Sequence, residues 1–121
     1  GGGGSIVNVG SVSSFRPQPA NSAYVAAKHG VIGLTKTGSL EYAGQGIRVN
    51  AVLPGAINTP MFRGALEANG FEESDFAAAL SLFNRIGRPE EVGEASAWLC
   101  SDASSYVTGH SLAVEAGYLT R

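Results

Sequence analysis

The sequence predicts an α/β fold. Two short β-branched runs, Ser5–Val9 (SIVNV) and Ile47–Leu53 (IRVNAVL), read as buried strands. The long stretch Ser22–Tyr42 between them reads as a helix. A third run, Ser111–Val114, follows further helical sequence and reads as another strand. Strand, helix, strand in that order is a crossover unit, which implies parallel strands joined with right-handed sense.

Taken in order, Gly1–Ser5 spells GGGGS, which reads either as an expression linker or as a native loop. It is not a phosphate loop, because such a loop needs strand, then glycines, then helix, and these glycines precede the strand. The first strand runs out at Gly10-Ser11. Residues 11–21 form a loop with turn signals at Pro17, Pro19 and Asn21, and Phe15 and Arg16 would face the mouth of a site above the strand ends. Asn21 or Ser22 suits the N-cap of the long helix, and Gly44 and Gly46 end it. Val25, Ala26, Ile32, Leu34 and Leu40, with small residues at Ala23, Ala27, Gly30, Gly33 and Gly38, predict close packing on several sides.

Pro54-Gly55 closes the second strand. The stretch from Ala56 to Arg88 is the least regular. Pro60 suits the first position of a helix, and Met61, Phe62, Leu66 and Phe71 lie on a short segment broken at Asn69-Gly70. Glu72–Asn84 then reads as a second short helix with Phe76, Leu80 and Phe83 at helical spacing. These aromatics pack a core or line a movable lid, with Gly64, Gly70 and Gly87 as hinge candidates. Pro89–Ser101 is a helix opened by Pro89, with Glu90 and Glu91 placed to suit the helix dipole. Its buried side is expected from Val92, Ala95, Ala97, Trp98 and Leu99. Residues 104–109 are a loop, and Glu115–Tyr118 is the exit turn after the last strand.

At 121 residues the chain is one small domain at most, and 44% hydrophobic with 15% charged residues makes it globular rather than disordered. A net charge of −2 argues against nucleic-acid or anionic-membrane partners. One cysteine, Cys100, cannot form an internal disulfide and fits a reducing cytoplasm; it reads as a small buried side chain in a helix. No signal segment or membrane-spanning apolar run is present, so a soluble cytoplasmic protein is expected. His29 and His110 read as packing or surface residues, and no His/Cys/carboxylate set has metal-ligand spacing.

The chemistry concentrates on Tyr24 and Lys28. At i and i+4 they lie about 6 Å apart along the helix and about 40° apart around it, on one face. A free phenol ionises near pH ~10, and a neighbouring ammonium favours the phenolate, which suits an acid/base catalyst. Many helices carry such a pair by chance with the lysine solvated, so the pair alone decides nothing. Ser11, thirteen residues before Tyr24 at a strand end, adds a hydroxyl able to hold a carbonyl oxygen.

Ser11 with Tyr24-Val-Ala-Ala-Lys28, then Ile47–Gly55 (IRVNAVLPG), Arg85–Val92 (RIGRPEEV) and the tail Val107–Tyr118 (VTGHSLAVEAGY), resembles the short-chain dehydrogenase/reductase family along the whole chain. The resemblance implies the C-terminal half of a Rossmann-like doubly wound parallel sheet, three strands with flanking helices, over residues 1–121. It implies Tyr24 as general acid of carbonyl reduction and general base of alcohol oxidation. Lys28 would assist the phenol and hold the nicotinamide ribose, and Ser11 would hold the substrate oxygen. Pro54, Gly55, Ile57 and Thr59 would contact the nicotinamide end of NAD or NADP, Ile57 mainly through its backbone. Asn8 and Asn50 would brace strand ends. Gly10 departs from the family pattern, which more often has a second serine there.

The family's glycine-rich TGxxxGxG turn, its NAD/NADP-selecting residue and its NNAG stretch do not occur in residues 1–121. The expected parent is therefore a longer NAD(P)-dependent alcohol dehydrogenase or ketoreductase acting on a small carbonyl or alcohol, and a homo-oligomer. The alternative is a non-catalytic fragment or interaction module that binds no cofactor alone.

Overall fold

A computed structural model of the chain describes residues 3–12 and 22–120. Its order is β1 (Gly4–Val9), α1 (Ser22–Tyr42), β2 (Ile47–Pro54), α2 (Pro60–Asn69), α3 (Glu73–Leu80), α4 (Pro89–Cys100) and β3 (Ser111–Val114). The three strands form one parallel sheet in the order β1-β2-β3. Gly4 to Val9 pair with Ile47 to Val52, and Ala51 to Pro54 pair with Ser111 to Val114. Phe15, Arg16, the turn signals Pro17 and Pro19, and the N-cap candidate Asn21 lie outside the described residues, as do Gly1 and Gly2.

β2 is the centre of the core. Val49 to Leu53 are all buried, as expected of a β-branched strand paired on both edges and covered on both faces. Adjacent residues on it point to opposite faces. Val49 meets α1, since a Cβ added at Gly38 would lie 3.3 Å from its Cγ1. Arg48 reaches past the end of α4, where its guanidinium donates to Ser101 O (3.0 Å), Ser104 Oγ (3.1 Å) and Val107 O (3.1 Å). On β1, Asn8 donates to Thr35 of α1 (3.1 Å), whereas Ser5 donates to Leu99 O of α4 (2.9 Å). Thus α1 and α4 cover opposite faces of the sheet. Both strand-to-strand steps go in the same direction across the sheet, so the two crossovers have opposite hands. The right-handed sense expected of such units holds for only one of them.

Asn50 is fully buried and donates to Val107 O (3.0 Å) while accepting from His110 N–H (3.0 Å). It locks the entry to β3 onto β2, alongside Gly109 N–H to Val49 O and Ala51 N–H to His110 O, both 2.8 Å. Asn8 and Asn50 are therefore braces, as the resemblance implies.

Several expectations are corrected. The helix expected over Glu72–Asn84 spans only Glu73–Leu80. Ser81 is extended, Leu82 N–H is taken by Ala116 O (2.8 Å), and Asn84 has a left-handed φ of 55°, so the chain is drawn out of the helix. Cys100 is exposed, and Trp98 is 44% exposed; Leu99, fully buried, supplies the centre of α4's inner face. Among α1's residues only Thr35 is buried, and Leu34 and Leu40 stand in solvent at 70% and 84% exposure.

Candidate active site

The first turns of α1 overhang the sheet. Thr35 is level with Asn8 near the C-terminal end of β1. Tyr24 lies eleven residues earlier, about 16 Å along the helix axis, and Lys28 about 10 Å, at a 1.5 Å rise per residue. Helix and strand run in opposite directions, so both side chains sit beyond the strand ends. Lys28 Nζ is 5.4 Å from the centroid of the Tyr24 ring, close enough for a cation–π contact, and Tyr24 is 43% exposed. Ser11 follows Gly10, whose N–H still donates to Val52 O (2.8 Å), and is half-buried at the end of β1.

The exit of β2 forms the neighbouring wall. Pro54 pairs with Val114, and Gly55 N–H donates to Val114 O (3.0 Å). A Cβ at Gly55 would stand 2.7 Å from Glu115 Cβ and 2.9 Å from its Cα, so only glycine admits this approach. Ile57 forms an isolated parallel bridge with Gly87. The two bonds of that bridge use Asn58 N–H and Ala56 O, at 2.8 and 2.9 Å. Ile57's own N–H and C=O therefore point the other way and have no backbone partner among the described residues. Thr59 caps α2, its hydroxyl accepting Phe62 N–H at 3.1 Å with Pro60 next in line.

Behind this wall lies a cavity of about 230 Å³ bounded by Ile57, Leu80, Phe83, Val114 and Ala116. Arg85 and Glu91 form its polar wall through a two-pronged ion pair at 2.7 and 2.9 Å. Arg85 and the Arg88 N–H, which also donates to Glu91, hold the Glu91 carboxyl down at about 2. Phe62, Phe71 and Phe76 stack between α2 and α3, with centroid separations of 6.2 and 5.2 Å about Phe76. Among the described residues no three His, Cys, Asp or Glu side chains gather as a metal site, and no helix is long and apolar enough to cross a membrane.

Residues 1–119 match the sequence profile of the family described as enoyl-(acyl carrier protein) reductase. The chain belongs to the short-chain dehydrogenase/reductase family. A short-chain dehydrogenase/reductase of Aspergillus oryzae, astE, is 49% identical over 117 residues, covering 97% of this chain and 45% of that protein. Cyclohexanol dehydrogenase of an Acinetobacter species is 45% identical over 120 residues, 99% of this chain and 45% of the relative. Among solved structures, ElxO with NADP bound superposes with a TM-score of 0.87 at 32% identity, over 97% of this chain and 47% of ElxO. The chain thus spans about half the length of the short-chain dehydrogenases it matches.

The turn Glu115–Gly117 escaped the sequence reading except as a strand exit. Its only signal was a carboxylate two residues before a glycine, a spacing that lets a side chain accept its own turn's N–H.

Proposed function

We propose that residues 1–121 are the catalytic half of an NAD(P)-dependent alcohol dehydrogenase or ketoreductase, a partial Rossmann-like domain whose dinucleotide-binding half lies in sequence outside them. The observation that carries this reading is the Tyr24–Lys28 pair at the overhanging end of α1, in a chain of this family. In carbonyl reduction Tyr24 Oη gives its proton to the substrate oxygen, and in alcohol oxidation it takes that proton back. The Lys28 ammonium stabilises the phenolate by charge and holds the ribose hydroxyls of the nicotinamide cofactor. The Ser11 hydroxyl holds the substrate oxygen in place. Pro54, Gly55, Ile57 and Thr59 form the wall for the nicotinamide end, with the Ile57 peptide edge meeting the carboxamide. NAD or NADP, when bound, supplies the two-electron hydride chemistry.

The substrate is a small carbonyl compound or secondary alcohol. The Phe62, Phe71 and Phe76 cluster on α2 and α3 serves as a lid and favours an apolar or alicyclic one, in line with a relative named for cyclohexanol. The functional protein is a cytoplasmic homo-oligomer. A second reading is a non-catalytic module of the same fold that binds no cofactor alone.

Tyr24→Phe in the full-length protein tests the proposal. Turnover is expected to fall about 10²–10⁴-fold, the usual worth of a general acid/base, with NAD(P)H affinity nearly unchanged. Retained turnover would remove Tyr24 from the mechanism. A full-length protein that binds neither NADH nor NADPH would favour the second reading.

A further inference from the structure

The Glu115–Leu119 turn joins two parts of the molecule that are distant in sequence. The Glu115 carboxylate uses both oxygens within the turn: Oε1 accepts Gly117 N–H (3.0 Å) and Oε2 accepts Leu119 N–H. Between these contacts Ala116 is held at a φ of 49° and Gly117 at 80°, both left-handed. Ala116 is a non-glycine residue there, an arrangement costing about 1–2 kcal/mol that the surroundings must enforce.

The strained carbonyl has a definite partner. Ala116 O accepts Leu82 N–H (2.8 Å), just past the end of α3, and the Leu82 side chain lies over Gly117, where any Cβ would collide with its Cδ1. On the other side, Glu115 lies against Gly55 at the exit of β2. One turn therefore fastens the α2–α3 segment to the wall formed by residues 54–59. The cavity of about 230 Å³ lies among these pieces, lined by Ile57, Leu80, Ser81, Glu115 and Ala116.

We propose that Glu115 is a positioning residue: by accepting from Gly117 and Leu119 it sets the Ala116 carbonyl that anchors the C-terminal end of the α2–α3 lid at Leu82. Its effect on catalysis rests on the oxidoreductase reading above, whereas its effect on Leu82 does not. Glu115→Ala removes both acceptors. Glu115→Gln keeps one acceptor and turns a donor toward the other N–H, so its effect falls between alanine and wild type.

The test uses the full-length protein with two readouts. In amide hydrogen exchange, Leu82, Gly117 and Leu119 are expected to lose protection about tenfold or more in Glu115→Ala, the equivalent of about 1.4 kcal/mol, and less in Glu115→Gln. In steady-state kinetics, the substrate KM is expected to rise severalfold with kcat changed much less, because the lid is misplaced while Ser11, Tyr24 and Lys28 are untouched. Unchanged Leu82 protection in either variant overturns the proposal, and so does a loss confined to kcat. If the alanine variant does not fold, the glutamine variant decides by the same criteria. A wild-type protein without NAD(P)-dependent turnover overturns the oxidoreductase reading alone, and the exchange result still decides the role of Glu115.

Discussion

β2 and α1 lie against one another and are held by opposite means. β2 buries Val49 to Leu53, and its one buried polar side chain, Asn50, has both ends of its amide bonded. α1 is 21 residues long, yet Thr35 is its one buried residue, and Gly30, Gly33 and Gly38 each weaken a helix by about 1 kcal/mol relative to alanine. Its anchors gather in its second half: Thr35 bonded to Asn8, Gly38 against Val49, and Ser39 within 3.0 Å of a Cβ placed on Gly109. Tyr24 and Lys28 ride on the unanchored half. The comparison teaches that the sheet fixes the second half of α1, while the end that carries Tyr24 and Lys28 depends on whatever else packs around it.

Substitutions can break or sharpen this contrast, and urea unfolding of the folded protein measures each. Leu53→Ala, in the fully buried strand, is expected to cost about 2–5 kcal/mol. Asn50→Ala leaves His110 N–H and Val107 O without their partner and is expected to cost about 1–3 kcal/mol. Thr35→Val keeps shape but removes the acceptor for Asn8, a loss of about 1 kcal/mol. Leu40→Gln on the outer face of α1 is expected to change stability by less than about 0.5 kcal/mol. A cost as large as that of Asn50→Ala at Leu40 would show that face to be covered, and the contrast would fail. Acid supplies a further, small effect on neither element's own residues. The Glu91 carboxyl is lowered to about 2, so its contribution is complete above its ordinary range near 4.5 and is lost as pH falls through 2. Glu91→Gln should therefore flatten the decline of melting temperature over that window.

The strands and α1 were legible because their signals are local: β-branched runs, a proline-glycine stop and an uninterrupted helical stretch. α1 begins at Ser22 and ends at Tyr42, and β3 spans Ser111–Val114, as the sequence predicts. The end of α3 was not legible, because a carbonyl 34 residues away, on Ala116, decides it. Cys100 and Trp98 misled for a related reason. Apolar character predicts burial only where a neighbour faces the residue, and α4 turns Leu99 inward instead. At the site, helical spacing sufficed to place Tyr24 and Lys28 together, whereas the availability of the Ile57 peptide edge follows from a bridge to Gly87 that no local pattern announces.

The opposite hands of the two crossovers bear on how the sheet comes into being during synthesis. Within residues 1–121, β1, α1 and β2 leave the ribosome before α4 and together can cover one face. The other face, on which Ser5 and Arg48 wait for Leu99, Ser101 and Ser104, stays wet until about fifty more residues have emerged. β3 follows that helix in the chain, and its entry is then bonded through Val107 and His110 to Asn50. Nascent chains halted before α4 would carry an apolar strand pair with one bare side, the kind of intermediate that chaperones are called on to shield.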